Sequence, residues 1–119
     1  MYRTLLAAAL LLFLPLSGAQ AHAFLLSASP AAGDILTAPP DKLVLTFSGP
    51  VTADELKILV VTRDGRRVAS SADKGFAVGW ADATLPLGTL APGGYTVTWD
   101  VNPRPGHGTH GQYTFEVSP

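Results

Sequence analysis

Three histidines are the residues of this sequence whose chemistry and spacing indicate a functional site. His107 and His110 lie three positions apart in the glycine-rich segment from Pro105 to Gly111, and His22 follows an apolar leader. Histidine is the commonest metal ligand in proteins. Histidines in a glycine-rich segment also occur as solvated surface residues, so their spacing alone leaves metal binding open.

The leader has the three regions of a secretory signal peptide. Arg3 provides the positive start, residues 5–16 form an uninterrupted apolar run, and small residues follow up to position 21. The apolar run is shorter than the stretch of about 20 residues that spans a membrane. We therefore expect a signal peptide over 1–21 and one exported domain over 22–119, which lies outside the cytoplasm and does not insert into a membrane.

The position of signal cleavage decides the role of His22. Cleavage after Ala21 makes His22 the first residue of the mature chain, whereas cleavage after Ala23, which satisfies the same small-x-small rule, removes it. An N-terminal histidine is a chelator, because its α-amino nitrogen and its imidazole Nδ1 can bind one metal ion together in a six-membered ring. A second imidazole completes three nitrogen ligands in a plane.

A ligand set made only of nitrogen predicts Cu(II), which favours tetragonal nitrogen sites and heads the affinity order of divalent ions. Cu(I) prefers sulfur ligands. The sequence has no cysteine, and its one methionine is Met1, inside the predicted signal peptide. The mature chain therefore carries no sulfur, which excludes a thioether Cu(I) site.

The composition excludes several other classes of protein. Without cysteine the chain has no disulfide framework, cysteine-ligated zinc, iron–sulfur cluster or blue-copper centre. Its 8 Lys and Arg against 9 Asp and Glu give a net charge of -1, which argues against a nucleic-acid partner. The sequence has no phosphate-binding loop and no nucleophile elbow, and its scattered carboxylates form no identifiable acid–base pair. We therefore do not expect an enzyme.

The elements that must position the histidines are predicted to be short strands, because apolar residues alternate with period two between turn residues. The Asp64-Gly65 pair indicates a hairpin. About seven evenly spaced strands predict an all-β, Greek-key sandwich or small barrel, with four aromatic residues facing its core. Strands are expected near 23–26, 42–48, 56–62, 67–71, 81–87, 95–101 and 112–117. The four inward aromatic residues are Tyr95, Trp99, Tyr113 and Phe115.

Five segments of this sequence form a recognisable pattern: LSASPAAG at 26–33, LVLTFS at 43–48, GYTVTW at 94–99, Gly106-His107 and YTFEV at 113–117. Together they resemble the periplasmic CopC copper-binding proteins over essentially the whole of 22–119. The resemblance implies an Ig-like, cupredoxin-reminiscent β-sandwich that binds periplasmic copper in copper resistance or uptake. It implies His22 and His107 as Cu(II) ligands, cleavage after Ala21, and transfer of copper to an inner-membrane transporter or another exported copper protein.

Two departures from the family pattern remove a carboxylate from the expected site. Pro105 stands where the family has the Asp of an Asp-Gly-His motif, and Gly49 stands where an acidic residue often follows Phe-Ser. Asp100 is expected to lie too far before the loop to replace either of them.

His110 falls where the family usually has a small polar residue. Our hypothesis is that His110 replaces the missing carboxylate as a third ligand. The alternative is a weakened site that keeps only His22 and His107, with water filling the gap. Two other functions also stay open: an oxidative copper enzyme, since copper-dependent polysaccharide monooxygenases use an N-terminal histidine, and a metal-free Ig-like interaction module.

Overall fold

The structure is a computed structural model that describes residues 23–103 and 108–119. Within these ranges the chain forms nine β-strands and no helix. None of the described segments is a helix long and apolar enough to cross a membrane. The strands are β1 Leu25–Ser29, β2 Ile35–Leu36, β3 Lys42–Phe47, β4 Leu56–Thr62, β5 Arg67–Ser70, β6 Ala77–Val78, β7 Asp82–Pro86, β8 Gly93–Val101 and β9 Thr109–Val117.

The strands form two sheets that pack face to face, which confirms the predicted all-β sandwich. The four-stranded sheet has the order β1-β3-β7-β6, and the five-stranded sheet has the order β2-β9-β8-β4-β5. Neighbouring strands are antiparallel except for β2 and β9, which are parallel. The two strands beyond the predicted seven are β2 and β6. Each has two residues, too few to show an alternating pattern in the sequence.

Apolar residues at alternate positions of the strands fill the core, as predicted from the sequence. Leu43, Leu45 and Phe47 of β3 are buried in one core cluster with alternate residues of β8. Between the sheets, Phe47 meets Trp99 edge-on with ring centroids 5.7 Å apart. A fully buried large apolar side chain contributes about 1.5–3 kcal/mol to stability. The predicted inward aromatics are buried apart from Tyr113, which is half-buried.

Strand β4 leads into the hairpin that the sequence predicts, and its two faces differ in burial. The hairpin to β5 is confirmed: Gly65 has a φ of +89° and its N–H donates to the carbonyl of Thr62 at 2.9 Å. The strand β4 is buried on one face only, and its other face is open. On the outer face Lys57 is exposed and Leu59 is 42% exposed. Within the described residues, the other sheet packs only on the inner face.

The last strand begins three residues earlier than predicted. The glycine-rich segment was expected to be a loop up to Gly111, but β9 starts at Thr109 and pairs with β8 along its whole length. Gly111 lies opposite Trp99, and a Cβ atom on it would come within 2.9 Å of the Trp99 indole Cζ2. The indole therefore occupies the space that any other residue at 111 would need.

We predict that Gly111→Ala lowers the free energy of unfolding by about 1–3 kcal/mol, the usual cost of overpacking. Gly49→Ala is the matched control, because a Cβ atom at Gly49 would meet nothing within 4 Å. Chemical denaturation followed by tryptophan fluorescence measures both variants. Equal stability of the two would contradict the packing of Trp99 over Gly111.

Candidate metal centre

The structure covers one of the three predicted ligands directly. His22 and His107 lie outside the described residues, and His110 is an exposed residue of β9. The neighbours of the other two are described: Ala23 follows His22 in the chain, and Gly108 follows His107. The positions of these neighbours define the end of the sandwich where the predicted site would lie.

Ala23 and Thr109 are joined by a hydrogen bond, although they are 86 residues apart in the chain. The Thr109 hydroxyl Oγ1 donates to the Ala23 carbonyl oxygen at 2.6 Å. Ala23 is half-buried and packs against the core. The residue after His22 thus contacts the residue two positions after His107.

The next residue of the entering chain is held by the other sheet. The Phe24 N–H donates to Ser48 Oγ at 3.0 Å, and the Ser48 N–H donates to the Phe24 carbonyl at 2.8 Å. Ser48 directly follows β3 of the four-stranded sheet, whereas Thr109 begins β9 of the five-stranded sheet. The chain therefore enters the sandwich between the two sheets and is bonded to both.

A second bond joins β9 to the N-terminal segment further along the strand. The Tyr113 hydroxyl donates to the Pro30 carbonyl at 2.8 Å. Burial of the phenol, together with the negative charge of Asp34, raises the pKa of Tyr113 above its ordinary value. The phenol therefore remains a neutral donor throughout the physiological pH range.

The two chain segments that flank residues 104–107 are also anchored. A Cβ atom at Gly108 would lie 2.5 Å from the Val101 carbonyl oxygen, so only glycine allows this close backbone approach. On the other side, the Asn102 N–H donates to the Glu55 carbonyl at 2.8 Å. The points at which the chain leaves β8 and enters β9 are thus both defined.

His110 lies on the outer face of the five-stranded sheet. It pairs with Asp100 of β8, and Asp100 pairs in turn with Lys57 of β4. The expectation that the glycine-rich loop extends to Gly111 is therefore wrong at His110, which lies in a strand beside Asp100. Because side chains alternate along a strand, His110 and Thr109 lie on opposite faces of β9.

The remaining described side chains do not complete a metal site by themselves. Over 23–103 and 108–119, no group of three or more His, Asp or Glu residues is close enough to hold a metal ion. At the end where Ala23 meets Thr109, Gly49 follows Ser48 and leaves open space around its Cβ position. Neither Ser48 nor Thr109 was singled out from the sequence, because a hydroxyl that bonds a distant backbone group leaves no local pattern.

The fold and this end of the sandwich can be compared with known proteins. A family model described as the CopC domain matches residues 25–118. The chain belongs to the CopC domain family. The matched range includes β1 to β9 and also Ser48 and Thr109, which contact the N-terminal segment.

Three relatives of this CopC domain span most of its length. Protein YobA of Escherichia coli strain K12 is 34% identical over 98 residues, which cover 82% of this chain and 79% of YobA. CopC from Methylosinus trichosporium OB3b is 33% identical in sequence, and its crystal structure superposes with a TM-score of 0.72. The match covers 82% of this chain and 95% of the CopC chain. PcoC, a methionine-rich copper resistance protein from Escherichia coli, is 27% identical with a TM-score of 0.69 and matches 82% of this chain and 100% of that one.

The Tyr113 bond predicts a loss of stability in alkali. Since folding raises the pKa of Tyr113, the neutral phenol stabilises the folded state fully below pH about 10, the unfolded pKa, and this contribution is lost as pH rises beyond it. Tyr113→Phe costs about 1 kcal/mol at pH 7 through the lost hydrogen bond, but its stability declines less between pH 9 and 11. Urea unfolding at each pH measures the free energy of unfolding of the two proteins. The same dependence on pH in both would contradict the prediction.

Proposed function

We propose that this CopC domain is an exported Cu(II)-binding protein that carries or buffers copper in the periplasm. The observation that carries the proposal is the hydrogen bond between Thr109 and Ala23. It brings the start of the predicted mature chain to the strand that follows His107. One metal ion at this end of the sandwich could therefore be bound by both predicted histidines.

Covalent connection limits how far His22 and His107 lie from that hydrogen bond. Consecutive Cα atoms are about 3.8 Å apart, so His22 is one such step from Ala23 and His107 is two steps from Thr109. The proposed ligands are the His22 α-amino nitrogen, the His22 Nδ1 and an imidazole nitrogen of His107. Signal cleavage after Ala21 is part of the proposal, because it alone creates the α-amino ligand on His22.

The oxidation state follows from the lack of sulfur. PcoC is described as a methionine-rich copper resistance protein, whereas the only methionine here is Met1 and cysteine is absent. Nitrogen ligands suit Cu(II), and Cu(I) is bound preferentially by thiolate and thioether ligands. We therefore propose Cu(II) as the cargo of the mature protein.

The position of His110 favours the two-histidine arrangement over direct ligation by three histidines. Thr109 faces Ala23, while His110 lies on the opposite face of β9 beside Asp100. In the favoured arrangement, water takes the fourth position of the Cu(II) plane. The competing hypothesis, in which His110 replaces the missing carboxylate, requires the start of β9 to turn its outer face toward the metal.

The proposed role is that of a carrier rather than an enzyme. The copper would pass to an inner-membrane copper transporter or to another exported copper protein, in copper resistance or uptake. The altered motif, with Pro105 and Gly49 in place of acidic residues, predicts weaker retention of the ion than a site with a carboxylate ligand.

We predict that His22→Ala, and separately one alanine inserted before His22, weaken Cu(II) affinity at least about 100-fold, or about 2.7 kcal/mol. Each change removes the five-atom N-terminal chelate arm without altering the described core. Competition with a chelator of known affinity measures the loss, and the melting temperature of the copper-free protein checks the fold. Unchanged affinity in both variants would refute the proposal.

His110→Ala is the companion variant in the same titration. The two-histidine arrangement predicts an unchanged Cu(II) EPR spectrum and affinity, whereas direct ligation by His110 predicts a change in both. Either result leaves the test on His22 intact, because the two residues are varied independently.

Gly49→Asp is predicted to tighten Cu(II) binding about tenfold, or about 1.4 kcal/mol. Space is open around this position, and Ser48 next to it already bonds Phe24, so a carboxylate there would lie close to the proposed ligands. Gly49→Asn is the control of equal size without the charge. Equal affinity of the Asp and Asn variants would show that position 49 does not face the metal.

A further inference from the structure

One peptide group at the entrance of the chain is hydrogen-bonded at both of its polar atoms. The carbonyl of the Ala23–Phe24 peptide group accepts from Thr109 Oγ1 at 2.6 Å, and its N–H donates to Ser48 Oγ at 3.0 Å. The two hydroxyls come from different sheets, since Thr109 begins β9 and Ser48 follows β3. These two bonds hold the described peptide group that lies nearest to His22, the proposed copper ligand.

We propose that Ser48 and Thr109 are positioning residues for the copper site, which fix the direction in which the chain approaches His22. The inference rests on the proposed function and goes one step further, because it assigns roles to two hydroxyls that bind no metal. A peptide group is planar. Bonds to its oxygen and its N–H together therefore fix the plane from which the preceding residue extends.

The physical benefit is preorganisation of the chelate. A free N-terminus would have to lose conformational freedom each time it bound an ion, which lowers affinity. With the Ala23–Phe24 peptide group already fixed, only the backbone torsions of Ala23 and the bonds of His22 remain to be ordered. Thr109 also ties this peptide group to β9, two residues after His107, so both proposed ligand-bearing segments share one anchor.

The side chains are suited to this task. Threonine is branched at Cβ, which restricts its χ1 angle and directs Oγ1 to one position from the half-buried side of β9. Ser48 bonds Phe24 twice, through its Oγ and through its own N–H at 2.8 Å to the Phe24 carbonyl. Loss of one hydroxyl therefore loosens the peptide group without removing the pairing of the segment with β3.

The same strand offers a matched control at its far end. Ser118 follows β9 and its Oγ donates to the Leu36 carbonyl at 3.1 Å. Both this bond and the Thr109 bond join a side-chain hydroxyl to a distant backbone carbonyl. The Ser118 bond spans 82 residues, and the Thr109 bond spans 86. It lies at the opposite end of β9 from the proposed copper site, so its removal tests the effect of such a bond on the fold alone.

The test compares Thr109→Val, Ser48→Ala and Ser118→Ala with the unaltered mature protein. Thr109→Val keeps the shape of the side chain and removes the donor, and Thr109→Ser restores a hydroxyl. Two quantities are measured: the hydrogen-exchange rate of the Phe24 amide in the copper-free protein, and the Cu(II) affinity by chelator competition. The melting temperature of each variant confirms that it is folded.

We expect Thr109→Val and Ser48→Ala to exchange the Phe24 amide faster and to bind Cu(II) about tenfold more weakly, which corresponds to about 1.4 kcal/mol. Ser118→Ala should match the unaltered protein in both measurements. Thr109→Ser, which keeps the donor without the branch at Cβ, should recover most of what Thr109→Val loses. Because the ligand atoms are unchanged, the EPR spectrum of the loaded protein should keep the same number of nitrogen ligands.

Two results would overturn the inference while leaving the proposed function standing. One is unchanged Cu(II) affinity in Thr109→Val and Ser48→Ala, and the other is an equal loss in Ser118→Ala, which would indicate general destabilisation. Failure of the proposed function is distinct: the unaltered protein would bind no Cu(II), or would bind it equally well without His22.

Discussion

The register between β8 and β9 is the constraint on which this end of the molecule depends. The two strands pair over nine residues each, from Gly93 opposite Val117 to Val101 opposite Thr109. The Trp99 indole lies over Gly111 and leaves no room for a side chain there. A slip of one residue would turn every side chain of β9 to the other face. The Thr109 hydroxyl would then point away from Ala23.

This register gives the two faces of β9 different contacts. Its inner face carries the donors that reach the N-terminal segment, Thr109 to Ala23 and Tyr113 to Pro30. Its outer face carries His110 in the row with Asp100 and Lys57. The proposed copper site belongs to the inner face and to the end where the sheets meet, so it depends on contacts between residues distant in the chain.

Much of the architecture could be predicted from alternation alone, because each buried strand repeats its pattern several times. The inward faces of β3 and β8 follow this rule. Strands of two residues, such as β2, contain no repeat and could not be predicted. The start of β9 was missed for another reason: glycines at 108 and 111 indicate a loop locally, whereas here they permit close approach to Val101 and Trp99.

The candidate site was less predictable than the fold. The histidines are visible as residue types, but the bonds of Ser48 and Thr109 to one peptide group arise only when both sheets have formed. Asp100 illustrates the same limit, since its place opposite His110 depends on how far β9 extends.

The most direct test of the account is native mass spectrometry of the exported protein, purified with and without added Cu(II). It reports the first residue of the mature chain and the number of bound ions in one measurement. If the N-terminal histidine is a copper ligand, the chain begins at His22 and gains one copper ion. A chain that begins at Phe24, or one that begins at His22 and binds no copper, would contradict it.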